Sequence, residues 1–352
     1  MNSTGKLYRI KVLTSDGVKP IDEVNIGDKV YEYGTGNLLE VTGIMKHQPS
    51  TVYYVAYSDG RCTMFLENEP YFDGYQIIKD GFNNTSKVNI IQHPIEFNKD
   101  KVVNPLPLDP YLAGPLFIYG DYTKPFMNLP YYPYHHTNKL NEEYLESLSL
   151  IQTIYDIDDK ILILFKDIND KAECHITWNE LCNKYNMNKF YKDEITQIPT
   201  EYAQSSFNDR EKFIRGIFDI GCTPDVFDDS LGIIGSNENM MKEVQRVLLS
   251  LGILSRLTYS PVLNRIRGYE FRLDIIGHHS TYPGSSYNLE IITEMIELSR
   301  KFMNGDQGSA VASCIDINMI KALPIKGCMY NLYLEKPNQI YLDYNYLPRV
   351  SL

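Results

Sequence analysis

"YLAGPLFIYGDY", Tyr111 to Tyr122, and "FIRGIFDIGCTPD", Phe213 to Asp225, decide how this chain is built. Each reads as a short apolar helix with small residues on one face. Each also ends where a carboxylate would be useful for holding a metal. The first helix has a sharp start, because Asp109-Pro110 offers an N-cap followed by proline at the first helical position. Working outward, helix "DPYLAGPLFIYG" precedes apolar runs and the helical "TWNELCNKYN". Helix "SSFNDREKFIRGIFDIG" precedes "SLGIIGS", helix "NENMMKEVQRVLLSLGI" and the strand pair "LSRLTYSP" and "RGYEFRLDII". One helix-plus-sheet unit thus occurs twice, over residues 106–195 and 196–305, with weak internal similarity.

On either side the texture is different. Residues 1 to about 105 alternate short β-branched and aromatic runs ("YRIKVLT", "VYEYG", "STVYYVAYSDG", "KVNIIQ") with Gly, Asp and Asn turns. The Pro-rich "NPLPLDP", Asn104 to Pro110, forms a hinge, and residues 306–352 return to strands in "CMYNLYLE" and "QIYLDYNYL". The predicted class is α+β: an all-β module, 1–105 and 306–352, split in sequence around a duplicated αββαββα core, 106–305.

Bulk properties exclude several classes. A formal charge of −11 and a pI near 5.2 argue against a generally basic nucleic-acid coat, which needs Lys and Arg along the contact surface. The longest apolar runs, such as "ILILF" at Ile161 to Phe165, fall far below the ~20 residues of a membrane span. The opening "MNSTGKLYRI" lacks the apolar core of a secretory signal, so the expected location is intracellular: cytoplasm, nucleus or a virus particle. Six cysteines (62, 174, 182, 222, 314, 328) without CxxC spacing read as free thiols. "GIIGSNENMM" lacks a phosphate-loop lysine, no Gly-x-Ser-x-Gly elbow occurs, and the acids of "DVFDDS" read as a solvated turn.

"VLTSDGVKPIDEVNIGDKVYEYGTGNLLEVTGI", Val12 to Ile44, resembles the first blocks of the Hint fold of inteins, and "CMYNLYLEKPNQIYLDYNYL" is similar to its closing strands. "IPTEYAQSSFNDREKFIRGIFDIG" followed by "NENMMKEVQRVLLSLGI" resembles the LAGLIDADG homing endonucleases that inteins carry between their two Hint halves. The resemblance spans nearly the whole chain and keeps block order. It implies two chemistries, and the residues for both have changed.

Splicing in that family begins with a Cys or Ser nucleophile helped by a histidine in a TxxH context. Here "FLENEPYFDG" puts Leu66 at the Thr position and Glu69 at the His position. A carboxylate cannot replace a neutral imidazole donor at a strained amide. No Cys precedes Cys62, which leaves Ser3 as the nucleophile at the front, and the last histidine is His279, so the ending "LPRVSL" offers no His-Asn pair. The expectation is that splicing is lost.

In the endonucleases two motif helices pack through Gly and Ala, and each delivers an Asp that shares divalent metal. On that alignment Gly114 and Gly120 fall in place but Tyr119 takes the acid position, with Asp121 two residues later. Gly216 aligns in the second motif, where Gly221 and Cys222 replace the Asp-Gly end, Asp219 sits at a non-catalytic position and Asp225 lies beyond the helix. A phenol and a bare glycine cannot chelate Mg²⁺, which takes carboxylate oxygen at ~2.1 Å. The expectation is no confident catalytic residue and no cofactor, with Asp121 and Asp219 as the fallback acids for Mg²⁺ should cleavage persist.

A DNA-facing surface can outlast the chemistry. Arg256, Arg265, Arg267 and Arg272 cluster on the strand pair, and Arg suits phosphate and guanine edges. The plain alternative is a solvated basic strand edge. Tyr131, Tyr132, Tyr134, His135 and His136 suit base stacking or a protein interface equally well. Neighbouring histidines of a strand point to opposite faces, so neither His135-His136 nor His278-His279 reads as a metal site. Two functions follow from the sequence: a non-enzymatic binding or structural subunit of a larger viral or macromolecular assembly, and a homing-endonuclease descendant that still binds or cuts a long double-stranded DNA site with Mg²⁺. The first is favoured, with protein partners, no membrane and no small-molecule cofactor.

Overall fold

The computed structural model describes residues 10–49, 51–67, 69–73, 76–78, 87–92, 94–97, 105–119, 126–130, 151–157, 160–165, 184, 197–224, 231–235, 237–260, 270–276, 297, 301, 311–324 and 328–351. In chain order the first strands are β1 (Lys11–Thr14), β2 (Gly17–Pro20), β3 (Lys29–Tyr31), β4 (Leu38–His47), β5 (Thr51–Tyr57), β6 (Cys62–Phe65), β7 (Tyr71–Phe72), β8 (Ile77–Ile78) and β9 (Lys87–Gln92). Then come α1 (Pro110–Tyr119), β10 (Phe126–Pro130), β11 (Ile151–Ile157), β12 (Lys160–Phe165), α2 (Thr200–Ala203), α3 (Phe207–Gly221), β13 (Cys222–Pro224), β14 (Leu231–Gly235), α4 (Glu238–Ser250), β15 (Ser255–Ser260) and β16 (Glu270–Ile275). The chain closes with β17 (Val311–Pro324), β18 (Met329–Leu334), β19 (Ile340–Leu342) and β20 (Pro348–Val350). Helices and sheets together make the chain α+β. It separates into two compact units, Met1–Ile95 with Ser299–Leu352, and Glu96–Leu298.

The first unit is built of antiparallel strands, in sheets ordered β18-β4-β3-β1-β2 and β6-β5-β17-β9 with two short hairpins, β7-β8 and β19-β20. Its opening hairpin turns at Ser15-Asp16, closed by Thr14 Oγ1 donating to Gly17 O at 2.6 Å, and Gly17 takes φ 119°, a conformation that favours glycine. β4 alternates as a half-buried strand must: Leu39 and Val41 are buried, Leu38 and Glu40 exposed. They join Val12, Ile21, Val30, Leu332 and Tyr341 in one core cluster, and Val55, Tyr57, Phe65, Ile315 and Leu347 belong to a second. Strands from both ends of the chain therefore build the same cores.

In the second unit the capping read from sequence is present. Asp109 Oδ1 accepts from Tyr111 N at 2.9 Å, and Asp109 O accepts from Ala113 N at 2.9 Å. Residues 111–117 are buried, which fits a helix apolar on all sides. Ser206 caps α3, with Asp209 N donating to its Oγ at 3.2 Å and the hydroxyl donating to the Asp209 carboxylate at 2.7 Å. Asn237 caps α4 by accepting from Asn239 N and Met240 N. Arg210, fully buried, ties the start of α3 to the end of α4: it donates to Ser205 O and to Ser250 O, and lies 4.6 Å from the Phe97 ring centre. α4 covers one face of the sheet β13-β14-β16-β15, and a Cβ on Gly235 would fall 2.6 Å from Met241 Sδ. No described helix is long and apolar enough to cross a membrane.

Candidate functional site

Two places are built from residues that the sequence singles out. One lies in each unit.

In the second unit α1 and α3 meet backbone to backbone. A Cβ on Gly114 would sit 2.2 Å from Phe213 O, and one on Gly216 would sit 1.9 Å from Tyr111 O, so only glycine permits either approach. The contact is reciprocal: 216 − 114 and 213 − 111 are both 102, so each helix presents the same position to the other. Pro115 has a part in this. It has no N–H to give to the carbonyl four residues back, and that carbonyl, Tyr111 O, is the one facing Gly216.

The same shift equates Tyr119, the last residue of α1, with Gly221, the last of α3. Gly221 is buried and has no side chain with which to hold a metal. Asp219 is 7% exposed, with Tyr111 Oη donating to its Oδ2 and its Oδ1 buried without a hydrogen-bond partner. Burial pushes the Asp219 carboxyl up to about 6, against the Tyr111 hydrogen bond and the Arg215 charge, which pull it down. Arg215 is itself engaged with Glu211 at 2.8 Å. The acid is thus a buried, hydrogen-bonded side chain between two helices. Under the 102-residue shift its pair with Tyr111 corresponds to Phe117 with Phe213, whose rings lie 6.3 Å apart. Among the described residues no group of three or more His, Cys, Asp or Glu could hold a metal ion. Gly120, Asp121 and Asp225 lie outside the described residues, as do Tyr131, Tyr132, Tyr134 and both histidine pairs.

The sheet beside these helices places two of the four arginines. Arg256 stands opposite Asp274, and Arg272 opposite Thr258, so all four share the face away from α4. Arg272 Nε donates to Asp274 Oδ1 at 2.5 Å, with side chains only 13% and 5% exposed. Gly232 makes room for them, since its Cβ would fall 2.5 Å from Asp274 Oδ1 and 3.2 Å from an Arg272 nitrogen. The solvated basic edge weighed as the plain alternative does not describe Arg272: β16 is an inner strand, and Asp274 pairs with the guanidinium. Arg265 and Arg267 lie outside the described residues.

In the first unit Glu69 is buried at 3% exposure. One oxygen accepts from Leu66 N at 2.9 Å, and the other forms an ion pair with Arg349 Nη2. Arg349, fully buried, also donates to Met64 O at 2.6 Å, and its guanidinium lies 4.8 Å from the Phe65 ring centre. Burial pushes the Glu69 carboxyl above its ordinary value, with Arg349 and the Leu66 N–H pulling the other way. Burial works to lower Arg349, and Glu69, Tyr341 and Asp343 outweigh it, holding the guanidinium above its ordinary value. Burial also pushes the Tyr341 hydroxyl up to about 12. Both oxygens of this carboxyl group are occupied, so neither is left to act on an amide. Sequence reading missed Arg349, Asp343 and Tyr111. The one available signal was a charged residue inside apolar "YLPRVSL".

No protein-family model and no curated protein matches the chain. Among solved structures it is similar to the gp41-1 intein, at 18% identity over 24% of this chain and 64% of that one, with a TM-score of 0.21. It therefore spans less than two thirds of that intein's length. It is also similar to mesophilic variants of the homing endonuclease I-DmoI, at 15% identity over 54% of this chain and 92% of that one, TM-score 0.28. I-DmoI in complex with DNA and Mn matches at 15% identity over 54% and 93% of the two chains, TM-score 0.28. An intein and a homing endonuclease are the two kinds of protein that the sequence resembles.

Proposed function

We propose that this chain works by binding and not by catalysis: an intein-like protein with a homing-endonuclease-like core, inside the cell, that neither splices nor cleaves DNA and serves as a subunit of a larger assembly. The observation that carries the reading is the Glu69–Arg349 pair. At the position where the resemblance calls for a histidine, the side chain is a carboxylate consumed by a buried guanidinium and a backbone N–H. Asp219, spent on Tyr111 between the helices, supports the same reading in the other unit.

A second reading, double-stranded DNA binding with or without Mg²⁺-dependent nicking, is favoured by Arg256 and Arg272 sharing one sheet face. Incubating the purified chain with a random duplex library in Mg²⁺ across a salt series, and scoring retention and nicks, separates the two. The expected result is no nicking and no retention that falls steeply with salt. A Mg²⁺-dependent nick abolished by Asp121→Ala would overturn the non-enzymatic reading, and salt-sensitive enrichment of a long site would replace assembly by DNA binding.

A further inference from the structure

In the first unit β5 covers one edge of β6, and the other edge is met by side chains. Cys62 and Met64 share one parity on β6, and their carbonyls point away from β5. Asn345 Nδ2 donates to Cys62 O at 2.8 Å, and Arg349 Nη1 donates to Met64 O at 2.6 Å. Flanking them, Arg61 Nη1 donates to Asn345 O and Tyr346 O at 3.3 Å, and Thr63 Oγ1 donates to Asp343 Oδ2 at 3.1 Å. Every one of these partners lies on the hairpin β19-β20 and its turn. Successive residues of β6 are therefore tied to one hairpin by side-chain bonds, where a backbone ladder would otherwise run.

The hairpin is itself held in a demanding shape. Its turn puts Tyr346 at φ 56°, in the left-handed region. Asp343 Oδ1 accepts from Asn345 N and Leu347 N at 2.8 and 3.0 Å, which fixes that turn. The farthest anchor is Arg349, whose second nitrogen reaches Glu69 beyond the end of β6. Satisfied edge carbonyls, a turn in a sparsely populated conformation and a terminal ion pair are the parts of a strap with a latch.

We propose that the hairpin Ile340–Val350 is a strap that closes the open edge of β6, and that Glu69–Arg349 is its latch. This goes beyond the loss of splicing: the altered position has a conformational task, blocking an edge that would otherwise offer unpaired backbone groups to another strand. Losing one latch partner leaves the other buried without its direct ion-pair partner, which costs more than losing both. The two residues must therefore act as one unit.

The test is amide hydrogen exchange on the full chain, comparing Glu69→Gln, Arg349→Met and the double variant. The latch predicts that each single change speeds exchange of the hairpin amides by roughly 100-fold while β1–β4 are little affected, and that the double variant exchanges far more slowly than the product of the two effects requires. Multiplicative effects, or equal acceleration in hairpin and β1–β4, would overturn it. Should a charge variant fail to fold, Asn345→Ala removes the cap on Cys62 O without touching the charges; hairpin exchange about tenfold faster supports the strap, and unchanged exchange overturns it. Neither result depends on whether the chain splices, cuts or binds DNA.

Discussion

Replacing Asp219 by asparagine should make the second unit more stable at neutral pH. The carboxyl is raised from 3.8 to about 6 in the folded chain, chiefly by burial. Because its folded pKa lies above the unfolded one, the native state holds the proton more tightly. The resulting stability is complete below about pH 4 and is lost as pH rises through about 6. A difference of about 2 units at ~1.36 kcal/mol each gives roughly 3 kcal/mol, the amount by which ionised Asp219 opposes folding at pH 7.5. Asparagine keeps an oxygen for the Tyr111 hydroxyl and carries no charge. The variant should therefore gain roughly 2–3 kcal/mol at pH 7.5 and almost nothing at pH 4. Urea unfolding followed by far-ultraviolet circular dichroism reads this directly, because α1, α3 and α4 all belong to the second unit. An asparagine variant less stable than the parent at pH 7.5, with the parent's pH dependence retained, would refute the argument and leave Asp219 as an acid stabilised by its charge.

Other changes test the same packing. Tyr111→Phe removes the donor to Asp219 and leaves a buried carboxylate with neither oxygen bonded; unfolding at pH 7.5 should show a loss of about 1–3 kcal/mol, shrinking in acid. Gly114→Ala and Gly216→Ala should each cost on the order of 2–4 kcal/mol despite better helix propensity, since backbone oxygens stand 2.2 and 1.9 Å from the new methyl and the helices must separate. Gly232→Ala should cost about 1–3 kcal/mol by pushing on Asp274 and on Leu273 O, which would stand 2.7 Å from the new carbon. On any duplex the chain retains, Asp274→Asn should steepen the salt dependence by about one phosphate contact by releasing the Arg272 charge, while Arg272→Ala should leave it nearly unchanged.

What was legible in the sequence is what depends on neighbours along the chain. Asp109 before Pro110 announced α1, and β-branched and aromatic runs between Gly, Asp and Asn turns announced the strands of the first unit. The glycines at 114 and 216 were legible too, because an apolar helix with a bare face needs a close neighbour. The buried charges were not. Glu69 finds Arg349 across 280 residues and Tyr111 finds Asp219 across 108, and no periodicity or cap encodes a pairing at that range. Arg272 shows the same limit. As a strand residue among arginines it suggested a basic surface, and only the pairing of β14, β16 and β15 brings Gly232 and Asp274 to where they absorb its charge.

These distinctions separate two things that the motif helices combine. The glycine crossing is a packing requirement: two backbones that come this close need a bare Cα at 114 and at 216 whatever chemistry lies at the helix ends. Its presence is therefore silent about cleavage, which must be judged on carboxylates alone. At the acids the two halves no longer match, since Tyr111–Asp219 on one side answers Phe213–Phe117 on the other. That asymmetry has a physical use. Were α3 to pair with a second α3 through the same crossing, Asp219 would face Phe213 and find no donor; were α1 to pair with itself, the Tyr111 hydroxyl would face Phe117 and find no acceptor. Burying either group unsatisfied costs about 1–3 kcal/mol. A polar group that satisfies only the unlike pair thus selects α1 against α3 over both like pairs, a role in which a buried acid is retained without any metal to hold.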